Sequence, residues 1–483
     1  MPSIKKNFIY SCILTSANYI FPLIVYPYVS RVLGADGIGA CGFVDSIIKY
    51  FVLFSMFGIT SIGIREVAKA KKNKENLNKV FNNIFWTNAL FTGLSVAVLI
   101  AVIFAVPDLE SYRKLLFIGV LKVVSNFFLI DWFFRGIEDF RYITIRTLVV
   151  KCLYVVSIFI FVRDKSDYDA YYLLTVLMIS VNSLFNQAYA HKSISISFKG
   201  VNLQTFIYPI AVMGVYTIMT SMYTTFNISY LGFVAGDKEV GYYTTVDTLY
   251  GALLALFSAF TGVMLPRMSS LLAEGQFERF KSLLSKSANV LFSFSFPFVF
   301  LFVVYAPEII GLYAGNEFEN AVVPMQISMP LMIVIGYEQI IITQGLLPLD
   351  KNKAVLINAV LGAITGVVLS LLLVAPFKCI GSVVVWVISE VIVLVSASLF
   401  IRYYIKFTFP FKLFISECIG YTPLLLILLE IHKVSLQPIW SIIIAGALTA
   451  IYTFIIQRYI FKQTNLVDLT NSLHTIVKKN NKI

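Results

Sequence analysis

The chain has 483 residues, of which 58% are hydrophobic and 13% charged, with a formal net charge of +12; soluble domains run near roughly 45–50% and 25%. That balance excludes a soluble globular fold. It also argues against nucleic acid as the partner of the positive charge, because the Lys and Arg are scattered over short loops and form no continuous basic face on a folded module.

Apolar stretches near the roughly 20 residues needed to cross about 30 Å of hydrocarbon recur along the whole chain and predict an all-α polytopic membrane protein with about fourteen spans. The first, 8–32, contains Asn18, Pro22 and Pro27 and no small-residue cleavage site, so it reads as a retained span and not a removed signal peptide. It carries a polar stripe at Ser11, Thr15, Asn18 and Pro22, a spacing that places these residues on one helical side, and it closes on Arg31. Next comes GADGIGACGFVD, Gly34 to Asp45, which spells a G-x-G-x-x-G through Gly37, Gly39 and Gly42. A nucleotide loop needs a strand before these glycines and an acid about 20 residues later; a membrane span precedes them and Met56 and Phe57 sit at that distance, so they read as a tight outer turn. The second span, 40–64, places Asp45 and Lys49 one helical turn apart, where they can pair.

Spans three to six are 81–106, 114–135, 144–162 and 169–190. Span four carries Lys122 and Asn126, then Asp131 and Arg135, each pair one turn apart, and span five adds Lys151. An ionisable group near the bilayer centre costs about 2.5–3.5 kcal/mol on the insertion scale, so Lys122 and Lys151, with no acid nearby on their own helices, require another helix or an anionic ligand. Spans seven to twelve, 206–234, 241–265, 288–306, 321–345, 354–375 and 379–401, carry Asp247, Glu338 and Glu390; 412–431 and 439–460 complete the set and add Glu417. Thr217, Thr220, Thr224 and Asn227 open the second group with a stripe like that of span one. Such stripes either glue helices together or line a shared cavity. The segment Arg267 to Ser287 suits a basic amphipathic helix on the membrane surface.

The two groups of six spans repeat one another. DGIGACGFVDSI from Asp36 lies over KEVGYYTTVDTL from Lys238, pairing Gly39 with Gly241 and Asp45 with Asp247, and the same offset of about 202 residues carries Arg65 onto Arg267. Arg135-Gly136 similarly matches Gln344-Gly345. The expected organisation is therefore a six-helix bundle over 1–190, a second over 206–401, two further helices over 412–460 and a tail over 461–483 that includes Lys462, Lys478, Lys479 and Lys482. Most Lys and Arg fall in segments on one side, the densest being REVAKAKKNKENLNK from Arg65, which places both termini in the cytoplasm. Attraction to anionic lipid headgroups follows. The five cysteines form no C-x-x-C and read as free thiols, although Cys41 and Cys379 both fall near the outer surface; His191, His432 and His474 share no metal-ligand spacing. No cofactor is implied.

Tyr26 to Lys69, YPYVSRVLGADGIGACGFVDSIIKYFVLFSMFGITSIGIREVAK, resembles the N-terminal signature of Wzx-type oligosaccharide flippases, the polysaccharide transport branch of the multidrug/oligosaccharidyl-lipid/polysaccharide exporter superfamily. RGIEDFRYITIRTLV from Arg135 and QGLLPLDKNKAVLIN from Gln344 resemble that family's half-ending loops. The resemblance implies two bundles that open alternately to either side of a bacterial plasma membrane, moving an oligosaccharide on undecaprenyl diphosphate outward for O-antigen, capsule or exopolysaccharide assembly, with a glycan polymerase and chain-length proteins as possible partners. A diphosphate is anionic, so cations in a dry-walled cavity would attract it. Arg31, Lys49, Lys122 and Lys151 are thus candidate substrate contacts, and Asp45, Asp247, Asp131 and Arg135 candidates for gating or ion coupling. Two alternatives stand beside this: an ion-coupled drug or cation exporter of the same superfamily, and a membrane glycan polymerase or ligase. The Lys-rich first half argues against the former. Short outer loops without D-x-D, H-x-x-H or a nucleophile elbow argue against the latter and against catalysis of any kind.

Overall fold

A computed structural model describes residues 4–191, 194–198, 200–434 and 437–460; among them all regular structure is helical. The tail basic residues and His474 lie outside the described residues. The α-helices are α1 (Ile4–Met56), α2 (Ile59–Ala70), α3 (Lys74–Ala105), α4 (Arg113–Leu129), α5 (Asp131–Gly136), α6 (Phe140–Phe161), α7 (Tyr168–Ala190), α8 (Gln204–Ala235), α9 (Asp237–Ala273), α10 (Phe277–Val304), α11 (Ala306–Tyr313), α12 (Val322–Ser328), α13 (Leu331–Gln339), α14 (Asn352–Ile405), α15 (Phe411–His432) and α16 (Pro438–Ile455).

Among the described residues ten helices, or eleven if one bent pair is a single span, are long and apolar enough to cross a membrane. Two of these hold two spans each. Helices α1 and α14 have 53 and 54 residues, about 80 Å at 1.5 Å per residue, far more than a bilayer requires. The backbone leaves the helical region inside each, at Gly34 (φ 68°, ψ −178°) and at Lys378 (φ 50°, ψ −128°). With α8 running 32 residues, the architecture accommodates the expected fourteen spans, and the protein is a multi-pass membrane protein.

The chain forms two compact units: Met1–Ala255 with Ala359–Ser389, and Leu256–Asn358 with Glu390–Ile483. In the first, α1 packs on α3, α4, α6 and α8, and α4 on α7. Away from Gly34, α2 packs on α5 through two glycines. A Cβ on Gly63 would lie 2.6 Å from the Trp132 ring, and one on Gly136 would lie 2.6 Å from Val67 Cγ1. Phe81 and Phe85 stack beside Trp132 and Phe133 in the same buried cluster. The segment after α7 is strapped to α3 by asparagines. Asn82 Nδ2 donates to the Ser195 carbonyl at 3.0 Å while its Oδ1 accepts from Ser197 N–H at 2.8 Å, and Asn83 Oδ1 accepts from Asn202 N–H at 2.9 Å.

In the second unit α10 packs on α13, α15 and α16. Glu417, fully buried on α15, accepts from Ser293 Oγ and Gln457 Nε2, both at 3.2 Å. Tyr421 O–H donates to the Ser293 carbonyl at 3.0 Å, so one polar cluster ties α15 to α10. The surface helix expected over Arg267 to Ser287 does not form as a separate element. Its two ends prolong α9 and α10, and the chain turns between them at Gly275 (φ 71°), because the apolar periodicity of both helices runs on into the loop.

Candidate functional site

The glycines of the opening motif have two different jobs. Gly34 alone makes the turn. Gly37, Gly39 and Gly42 are helical, so the tight turn expected of them is corrected to a close approach between helices. A Cβ on Gly39 would lie 1.7 Å from the Asp237 carbonyl oxygen, and one on Gly241 would lie 2.1 Å from the Ala35 carbonyl oxygen. Only residues without a Cβ permit backbones this near. Phe43 fills the space that a side chain at Gly232 would need, at 2.1 Å, and Ser46 and Ser229 share a hydrogen bond of 2.8 Å.

This seam has internal two-fold character, in the register read from the sequence. Gly34 and Gly236 are register mates, and both combine positive φ with ψ near 180° (φ 84°, ψ 175° at Gly236). Gly39 meets Asp237, the mate of Ala35; Gly241, the mate of Gly39, meets Ala35. That exchange is the mark of an isologous contact. Gly42 faces its own mate, with a Cβ 2.9 Å from Thr244 Oγ1, as a residue on the axis must. Further contacts reinforce the seam: Tyr26 and Thr245 hydroxyls at 2.7 Å and Tyr112 O–H donating to Asp237 at 2.7 Å; Asn227 on the far side of α8 donates to the Ser382 carbonyl of α14 at 2.8 Å. Cys41 is buried here, its thiol directed at the Tyr168 carbonyl at 3.3 Å; Cys41, Cys152, Cys379 and Cys418 are free.

Beyond the seam lie the intramembrane charges. The expected Asp45 to Lys49 pair gives way to one ion pair between helices. Asp45 forms its ion pair with Lys122 of α4 and accepts from Tyr172 O–H of α7 at 3.2 Å. Lys49 instead acts electrostatically on Asp247 of α9. Lys122 is largely buried, whereas the Asp45 side chain keeps 41% exposure and Lys49 and Asp247 are both exposed in mid-helix. One ion pair thus joins α1 to α4, and Lys49, one turn from Asp45, lies within electrostatic reach of Asp247, the acid of the second repeat.

Lys151 is buried on α6. Its ammonium donates to the Ala17 carbonyl at 3.2 Å and to Asn18 Oδ1 at 2.7 Å and lies 5.6 Å from the Phe21 ring centre. Asn18, from the span-one stripe, thus serves this lysine. The amine borders a cavity of about 240 Å³ between α1, α6, α7 and α9, whose walls include Tyr26, Tyr154, Tyr171 and Thr248.

The remaining candidates lie elsewhere. Arg31 is exposed and turns back on its own helix, donating to the Pro27 carbonyl at 2.5 Å. Asp131 is not paired with Arg135, which is exposed. Its partners are Arg146 at 3.2 Å and Asn186 at 2.9 Å. Arg146 is buried, also donates to the Asn182 carbonyl at 3.3 Å, and lies beside the Tyr142 ring; the sequence reading missed it, although an arginine just inside span five was a visible signal. Among the described residues no group of His, Cys, Asp and Glu is placed to hold a metal.

Comparison with known proteins places this geometry. A family described as "Polysaccharide biosynthesis protein" matches residues 4–272. A protein of Escherichia coli K12 described as "Putative O-antigen transporter" is 25% identical over 421 residues, covering 83% of this chain and 97% of its own. One of the same description from Shigella dysenteriae is 24% identical over 392 residues, covering 80% and 98%. Among solved structures, the lipid II flippase MurJ in an inward closed conformation superposes with a TM-score of 0.76 over 94% of this chain and 100% of its own, at 13% identity. An inward-facing multidrug MATE transporter of the MOP superfamily gives 0.64 over 82% and 98%, also at 13% identity. The fold is thus shared with these two transporters, and with its family match spanning more than half its length, the chain belongs to the polysaccharide biosynthesis protein family.

Proposed function

We propose that the protein flips an undecaprenyl-diphosphate-linked oligosaccharide from the cytoplasmic to the outer leaflet of the bacterial inner membrane, for O-antigen, capsule or exopolysaccharide assembly. The observation that carries the reading is the Asp45–Lys122 ion pair between mid-helix positions, with Lys49 one turn away, Asp247 within its electrostatic reach and Lys151 buried in the same unit. A sugar chain cannot cross hydrocarbon unaided, and an anionic headgroup is drawn to cations held in low dielectric. The alternative of a cationic drug as cargo would meet repulsion from these lysines.

In this reading Met1 and the tail are cytoplasmic, and the Gly34 seam is the outer gate, closed here. The bundles over 1–190 and 206–401 rock about the interior charges, and opening the gate means parting α1 from α8 and α9. Lys49, Lys122 and Lys151 hold the anionic part of the cargo; Asp45 and Asp247 couple its presence to the gate. Arg31 guards the outer mouth and the Asp131 cluster holds α5, α6 and α7 together. The test is surface glycan output with Lys49, Lys122 and Asp45 each replaced by Ala at normal protein level. The proposal expects each to lower output, on the order of tenfold for a loss of about 1.4 kcal/mol, and unchanged output from all three would remove it.

A further inference from the structure

The cavity beside Lys151 has a composition of its own. Its lining holds one ammonium, three tyrosines, three threonines and no carboxylate. Of the three N–H bonds of Lys151, two go to Ala17 and Asn18. Aromatic rings and hydroxyls suit a pyranose, whose C–H faces stack on rings and whose edges hydrogen-bond. A buried cation without an acid in its pocket favours a ligand that brings a negative charge. The volume of about 240 Å³ falls below the roughly 300–1,000 Å³ of sites for drug-sized molecules, so the space suits one ring and not a chain.

The walls come from both repeats. Tyr26, Tyr154 and Tyr171 belong to the first, while Thr244 and Thr248 belong to α9 of the second. Thr244 is the residue that meets Gly42 in the seam. The pocket is therefore complete only while α9 lies against α1.

We infer that this cavity is a subsite for a single acidic sugar ring, built by both repeats and existing only while the Gly34 seam is closed. The inference rests on the flippase reading and adds to it a substrate class and a coupling: an acidic sugar in the pocket bridges Thr248 to Lys151 and holds the seam shut, and parting the seam dismantles the pocket and frees the sugar.

The full-length protein, purified in detergent, is tested by equilibrium dialysis against sodium glucuronate, glucose and sodium pyrophosphate. Glucuronate is expected to bind saturably. Lys151→Met weakens it about tenfold, Lys151→Arg restores most of it, and a Thr244→Val/Thr248→Val double variant weakens it by about threefold, an independent route should Lys151→Met fail to fold. Glucose binds no better than glucuronate does to Lys151→Met. In a background with Cys12, Cys152, Cys379 and Cys418 changed to Ser, glucuronate slows maleimide labelling of Cys41 severalfold. Glucuronate binding indifferent to both sets of substitutions, pyrophosphate binding in its place, or Cys41 labelling untouched by the sugar would each overturn the inference. The flippase reading is judged apart, by whether a strain lacking the protein accumulates lipid-linked glycan; accumulation without glucuronate binding would sink the subsite alone.

Discussion

Individual side chains in this protein are read best through their partners on other helices. Asp131 and Arg135 look equivalent in sequence, yet Asp131 is held by Arg146, whose side chain is 5% exposed, while Arg135 is open to its surroundings. Removing one member of a buried pair strands the other and costs about 3–5 kcal/mol. Arg146→Met is therefore expected to lower the melting temperature and the cellular abundance of the protein sharply, whereas Arg135→Ala changes stability by no more than about 0.5 kcal/mol. Thermal denaturation of the purified variants checks this, and equal losses would contradict it. The Asp45 and Lys122 pair calls for a gentler version, since Asp45 keeps 41% exposure and water screens what remains. Lys122→Met and Asp45→Asn should each cost less than the Arg146 change, and the double variant less than their sum, in a double-mutant cycle of melting temperatures. The residue types at these positions were plain in the sequence. Their pairings were not, because an i,i+4 spacing on one helix competes with partners that only the packing of α1, α4, α5, α6 and α7 brings near.

At the scale of elements, the seam between α1 and α8–α9 is the feature most open to manipulation. Adding a methyl group where the Asp237 carbonyl already sits forces the helices apart, an overpacking cost of typically about 1–3 kcal/mol. Gly39→Ala and Gly241→Ala are expected to behave alike, since the residues they push on, Asp237 and Ala35, are register mates of each other. Both should raise the rate of Cys41 alkylation by an impermeant maleimide added from outside, in the background that keeps only this cysteine. A change at Gly39 alone, with Gly241→Ala inert, would contradict the two-fold contact. Gly93 and Gly446 meet nothing within 4 Å and serve as controls. The repeat itself was legible in the shared Gly, Asp and Arg positions. What the glycines do was legible only in part: their lack of a Cβ suits a turn and a close approach equally, and only the backbone at Gly34 and the carbonyls of Ala35 and Asp237 separate the two uses.

For the whole molecule, composition together with the length of the apolar stretches points to a helical membrane protein, since only helices and closed barrels satisfy the backbone in lipid and runs near roughly 20 residues suit helices. Span boundaries were harder at the Gly34 break and at Lys378, where helices continue on both sides of one non-helical residue, and between α9 and α10, where apolar periodicity outlasts the spans. Orientation depends on the bias of Lys and Arg toward one side. Cysteines placed at Lys72 and at Asp108 test it: the first should react only after the cytoplasmic side is made accessible, the second from outside, and the opposite pattern would invert the account of the gate. Whether the charged residues of the first unit carry a lipid-linked glycan across the membrane is decided by extracting lipids from cells that lack the protein, with and without restored wild-type or Lys122→Met chain at equal abundance. Undecaprenyl-diphosphate-linked repeat units should build up in the deletion strain, clear with the wild type and persist with the variant; no build-up in the deletion strain would contradict a flippase.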